Sequence, residues 1–307
     1  MDTHTITPKA LNVTTRLMLT AGLLLLSAPM WADPAATVSQ IDVPNATYTD
    51  AVGINNRGEI VGSFMDAQGR LHGFVLRRGT FTTLDFPAQG ATNTVAKGIN
   101  DRGEVAGFYV INGDSIHGFV WDRGKFTQVD APNANITYLH GINNRGQVVG
   151  HSRRDLFALA RGFLWNDGDF RFLDIPGVLL AGQRTETMGL NDRGQVVGSF
   201  QSGGVDHGFV IDSRGVSQID IGPMGSRATG INNNGHIVGS YRDPQQVEHG
   251  FLRQADGSFT TIDAPSVSSI AAVGINDSGD VVGLFTLVNG GFHGFLFGPS
   301  LTSSTRR

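Results

Sequence analysis

An all-β chain, a six-bladed β-propeller with four antiparallel strands per blade, is the fold class that the sequence predicts. Three observations predict it. A ten-residue motif recurs six times at a nearly constant period. Each period holds four short runs of strand type. The last period lacks its fourth run, and an orphan copy of that run stands ahead of the first period, so the N-terminal strand is expected to complete the last blade.

The motif begins at Gly53 (GINNRGEIVG) and returns at Gly98, Gly141, Gly189, Gly230 and Gly274. The steps are 45, 43, 48, 41 and 44 residues, a spacing that belongs to propellers, solenoids or arrays. In the first period the four runs are Ala51 to Asn55 (a), Glu59 to Phe64 (b), Leu71 to Leu76 (c) and Phe81 to Phe86 (d). They are β-branched and aromatic and end at Gly, Asn, Asp or Pro. No stretch of the repeats carries helical apolar spacing over three turns.

The a–b link is Asn56-Arg57-Gly58, and in later copies DRG, NRG, DRG, NNG and DSG. A type I turn closed by a left-handed Gly makes a three-residue hairpin loop. The Asn ahead of it (Asn55, Asn100, Asn143, Asn191, Asn232, Asn276) is placed to hydrogen-bond the turn backbone. The loop has a faint likeness to a calcium loop, but the spacing and the terminal Glu are missing. Run c carries His-Gly-Phe at His72, His117, His207, His249 and His293, with Arg161 in the third copy. Run d carries Asp85, Asp130, Asp174, Asp220 and Asp263, and the orphan run carries Asp42. A buried His and a buried Asp in each unit both need hydrogen-bond partners, so both sets are expected to be structural; in the bland reading Arg161 pairs with Asp174.

The sixth period has a, b and c but no d, whereas Ser39 to Pro44 is a d run with nothing before it. Pairing the two removes an open sheet edge. A solenoid would leave that strand unexplained.

The 307 residues include no cysteine, which excludes disulfides, thiolate catalysis and cysteine zinc sites. A net charge of −4 gives no footprint for nucleic acid. Residues 1–32 read as a signal peptide: Lys9 and Arg16, an apolar run from Leu17 to Trp31 too short to span a bilayer, and a small residue at Ala32. The expected organisation is a signal peptide over 1–32, a propeller over 37–298 and a disordered tail over 299–307, in a secreted or periplasmic monomer free of the membrane after cleavage.

The repeat resembles the HAF family of extracellular bacterial repeats. The resemblance rests on Gly-Ile-Asn-x-x-Gly-x-Val-Val-Gly and His-x-Phe-(Leu/Val) over about residues 39–297. It implies export and a propeller-like fold. It supplies no catalytic residues.

Length varies most in the d–a connections, 10 to 15 residues from the Asp of d to the next motif. These lie on the same face as the b–c loops, and binding loops are expected there. The third repeat departs furthest from the pattern. His151-Ser152 replaces the usual b-strand pair, Arg153 follows, and Arg161 replaces His. Arg184 and Glu186 lie in the longest connection, and His140 and Lys97 precede motif glycines. Lys97, His140, His151, Arg153, Arg161, Arg184 and Glu186 are therefore the candidate ligand-binding residues for an anion or polar glycan, near the central opening between blades two and four. The competing reading is ordinary solvated charge. No catalytic residue, metal ligand or cofactor is predicted. The expected function is a non-catalytic binding scaffold for a carbohydrate or envelope component; the alternative is a propeller enzyme of the metal-dependent lactonase or lyase type, a fold-level analogy alone.

Overall fold

The computed structural model describes residues 38–175 and 183–298. The expected signal peptide and C-terminal tail lie outside the described residues, as does part of the connection after blade three. No helix among the described residues is long and apolar enough to cross a membrane.

Six four-stranded antiparallel units follow one another along the chain. Blade one is β2 (Tyr48–Ile54), β3 (Ile60–Met65), β4 (Leu71–Arg77) and β5 (Thr80–Leu84); β1 (Ser39–Ile41) precedes it. Blade two is β6 (Ala91–Ile99), β7 (Val105–Ile111), β8 (Ser115–Asp122) and β9 (Lys125–Val129). Blade three is β10 (Ile136–Ile142), β11 (Val148–Arg153), β12 (Arg161–Asn166) and β13 (Asp169–Phe172). Blade four is β14 (Thr185–Leu190), β15 (Val196–Ser202), β16 (Val205–Asp212) and β17 (Gly215–Ile219). Blade five is β18 (Ser226–Ile231), β19 (Ile237–Arg242), β20 (Glu248–Arg253) and β21 (Phe259–Ile262). Blade six is β22 (Val267–Ile275), β23 (Val281–Leu287) and β24 (Phe292–Phe297), and its fourth strand is β1. Gln40 stands opposite Phe295 and Ile41 opposite Gly294, as the missing d run requires. One parallel pair, Ile136 with Ile116, joins blades two and three at their edge.

His-Gly-Phe has a packing reason. The six phenylalanines Phe74, Phe119, Phe163, Phe209, Phe251 and Phe295 are fully buried. Each faces the preceding blade: Phe74 packs with Ile41 and Val282 of blade six, and Phe119 with Val61 and Val75 of blade one. The intervening glycine faces the next blade. A Cβ on Gly73 would sit 3.3 Å from the Ala96 backbone nitrogen, and one on Gly294 would sit 3.1 Å from that of Ala51. Large side chain one way and none the other lets each sheet stack on its neighbours.

The histidine holds the outer strand. His72 Nδ1 meets Asp85 at 2.8 Å, His117 meets Asp130 at 2.8 Å, and His207, His249 and His293 meet Asp220, Asp263 and Asp42 at 2.9 Å. In the same five blades the ring packs on an aromatic of the neighbouring b strand, stacked in four, as His72 on Phe64, and tilted for His293 on Phe285. In blade three both change together. Ser152 replaces the aromatic, and Arg161 forks onto Asp174 at 2.8 and 2.7 Å while lying over the Phe172 ring at 4.3 Å.

The inner strands meet at the axis. A Cβ on Gly98 would lie 2.6 Å from the His140 carbonyl, and one on Gly53 2.7 Å from that of Lys97. The same contact passes from Gly189 to Thr229, from Gly230 to Val273, and from Gly274 back to Val52. The first motif glycine is thus required by close backbone approach. Gly58 is required differently, by a φ of 73° that closes the a–b turn.

Two hydrogen-bonded rings seal the turn face. Asn55 Oδ1 accepts from the backbone of Arg57 and Glu59, the local turn role, while its Nδ2 donates across the blade boundary to the Asn100 carbonyl at 3.0 Å. Asn100, Asn143, Asn191 and Asn232 repeat the donation, and Asn276 returns it to Asn55. The next residues alternate Asn56, Asp101, Asn144, Asp192, Asn233, Asp277. Each Asn amide in this second ring donates to both neighbouring carboxylates at 2.8–3.0 Å. A ring that alternates donor and acceptor closes without mismatch only for an even number of blades.

Candidate functional site

The loop face of the axis is polar where the turn face is sealed. Residues one and three places before each motif glycine lie on the inner strands above the glycine level. In blade three both carry polar rings, Tyr138 and His140; the other blades hold at most one charged residue beside a small or apolar one, as Glu186 beside Met188.

Tyr138 lies opposite His151 across β10 and β11, with ring centroids 4.7 Å apart. His140 Nε2 stands 3.1 Å from His151 Nδ1, and the two imidazoles stack at 5.1 Å. One must donate and the other accept, so at least one ring is neutral. Burial is the main cause that holds both neutral. His140 is pushed well below the usual imidazole range by burial, then by His151 and Lys97, with Glu186 opposing. His151 is lowered to about 3 by burial, then by the Arg153 and Arg184 guanidinium groups.

Glu186 answers the cations. Arg153 Nη2 approaches Glu186 Oε1 at 3.5 Å, and Arg184 feels the same carboxylate. Arg184 also bonds Asp206 at 2.8 and 3.1 Å, and Arg227 bonds Asp206 at 2.8 Å through Nε. Burial raises the Asp206 carboxyl, but the two guanidinium groups outweigh it and hold it below the usual range. The network thus runs from Lys97 in blade two to Arg227 in blade five. Its four cations, Lys97, Arg153, Arg184 and Arg227, meet two carboxylates, Glu186 and Asp206.

Two atoms of this network, His151 Nε2 and Arg153 Nε, are buried with no hydrogen-bond partner among the described residues. Such atoms normally find a partner. A buried water or a ligand hydroxyl would satisfy them.

Six of the seven sequence candidates share this network: Lys97, His140, His151, Arg153, Arg184 and Glu186. Arg161 does not. Its guanidinium is satisfied by Asp174 and Phe172 at the outer strands, where it stands in for the His of the other blades. Sequence reasoning missed Tyr138, Asp206 and Arg227. A signal was present for Asp206. The residue before His-Gly-Phe is Leu71, Ile116 or Phe292 in three blades, and Ala160 precedes Arg161, but Asp206 and Glu248 break that apolar pattern. Among the described residues no group of three or more His, Asp or Glu is placed to hold a metal ion.

No protein-family model matches the chain, and comparison with curated protein sequences finds no match. Solved structures do match. The AofleA protein of Arthrobotrys oligospora aligns with a TM-score of 0.56 at 15% identity, over 85% of this chain and 86% of that one. The fucose-recognising lectin of Aleuria aurantia, a six-bladed propeller, aligns with a TM-score of 0.51 at 12% identity, over 84% and 93%. The gluconolactonase XC5397 of Xanthomonas campestris aligns with a TM-score of 0.52 at 12% identity, over 86% and 90%. At these identities the likeness concerns the fold. The chain is a six-bladed β-propeller.

Proposed function

We propose that the protein is an exported, monomeric, non-catalytic propeller of the HAF type that binds a carbohydrate or another polyhydroxylated envelope component at the loop face of its axis. The observation that carries the reading is the polar network around His151 and Arg153, whose His151 Nε2 and Arg153 Nε are buried with no hydrogen-bond partner among the described residues. A neutral polyol offers a hydroxyl donor to Glu186 and acceptors to the Arg153 guanidinium, with no net charge to bury. The half-buried rings of Tyr138 and His140 supply flat faces for the C–H side of a sugar ring, with His151 buried against them. Likeness in fold to lectins solved with fucosides, such as the Aleuria aurantia lectin with Fucalpha1-6GlcNAc, favours the same ligand class. Secretion or a periplasmic home rests on residues 1–32 and the HAF-like motifs; fractionation of cells expressing the full chain checks it.

The experiment is a glycan array probed with the protein and with an Arg153→Ala/Glu186→Ala variant. Removing both partners avoids leaving one charge buried alone. Binding of the wild type, lost in a normally folded variant, supports the reading. An array with no signal, or one the variant leaves unchanged, rejects it.

A further inference from the structure

A cleft of about 440 Å³ opens between blades four and five, at the far end of the axial network and sharing Asp206 and Arg227 with it. That lies within the roughly 300–1,000 Å³ of small-molecule sites. Its walls carry Asp206, Met224, Arg227, Ser240, Tyr241 and Glu248.

The sequence opens this gap at one blade boundary. The b–c link of blade four is reduced to Gly203-Gly204, both at positive φ (59° and 82°), so no loop overhangs the boundary. The d–a connection is pressed down onto blade four: a Cβ on Gly225 would lie 2.8 Å from the Asp206 carbonyl and 3.0 Å from Val205. Asp206 and Glu248 then present carboxylates where other blades hold apolar side chains.

The walls are prepared for hydroxyl groups. Asp206 is fixed between Arg184 and Arg227, which also fixes the guanidinium of Arg227. Glu248 accepts from Ser240 Oγ at 2.7 Å through one oxygen, and among the described residues no group bonds the other. Two carboxylates face the cationic Arg227 and Arg242, so a charged ligand gains little. Met224, 42% exposed, offers an apolar edge. Acceptor, donor and apolar wall within one cleft of this size match a single sugar ring.

We infer that the cleft between blades four and five is a second site for one neutral sugar ring or a polyol of that size, an inference that rests on the carbohydrate reading of the protein. The test titrates the full chain with the methyl glycosides of glucose, galactose, mannose, fucose, rhamnose and N-acetylglucosamine. Binding is read by ligand-observed NMR and by the amide shifts of Gly225, Ser240 and Glu248. At least one glycoside binds with millimolar affinity and moves those three amides. Glu248→Ala weakens it at least tenfold, and Arg161→Ala leaves it unchanged. Absence of binding up to about 50 mM, unmoved amides, or indifference to Glu248→Ala overturns the inference. If glycosides fail while longer array glycans still depend on Arg153 and Glu186, the cleft falls and the broader reading stands.

Discussion

The backbone amide of Asp277 donates to Asn56 Oδ1 at 2.8 Å, joining the last blade to the first across 221 residues of chain. It completes the ring in which three carboxylates alternate with three amides. Asp192→Asn sets an amide between the amides of Asn144 and Asn233 and removes their shared acceptor. A loss of about 1–3 kcal/mol is expected, read as a fall in thermal midpoint of several degrees. An unchanged midpoint would show that the alternation carries no stability.

Strand β1 is a second closure. Ile41 is buried in the core with Ala51, Phe74 and Val282, and Asp42 holds His293. Deleting residues 37–44 should open blade six and lower the melting temperature by about 10 °C or more, since several kcal/mol of buried contacts go at once. A midpoint equal to wild type would refute closure by this strand.

The buried imidazoles predict acid sensitivity. His151 binds a proton in the unfolded chain near pH 6.5 but in the folded protein only near 3, so below pH 6.5 the unfolded state carries more protons. Stability from this group is complete above about pH 6.5 and is lost as the pH falls, by about 2 kcal/mol at pH 5. His140 acts in the same direction. His249, raised by its two Asp partners against burial, acts oppositely: its contribution is present below the unfolded value and is lost as the pH rises through the folded one. Denaturant unfolding at pH 5 and pH 7.5 checks the sign, and His151→Gln should flatten the difference.

Arg161 lies outside the network, so Arg161→Ala should leave glycan binding unaltered and cost at most about 1 kcal/mol, as for an exposed pair. Loss of binding with an unchanged melting curve would return Arg161 to the site.

Much of this was legible because repetition supplies its own comparison. Six copies separated the structural His, Asp and Asn from the departures, and the orphan run at Ser39 foretold the closure with β24. The departures at His140, His151, Arg153, Arg184 and Glu186 were visible for the same reason. Arg161 misled because its departure compensates another, Ser152, and the compensation needs Phe172 from a third strand. The alternation of Asn56 with Asp101 was on the page but had no meaning until the turns were seen to meet around one axis. Arg227 was hidden because its position varies in every blade, and only its ion pair with Asp206 ties it to the network.

The claim on which the function rests is that a ligand occupies the space around His151. Ring-nitrogen NMR of protein labelled at histidine, titrated with the strongest glycan from the array, tests it directly. The account predicts that the His151 and His140 ring resonances shift along the binding curve, while those of His72 and His117 in their Asp pairs stay still. Saturable binding with the His151 and His140 signals unmoved would contradict it.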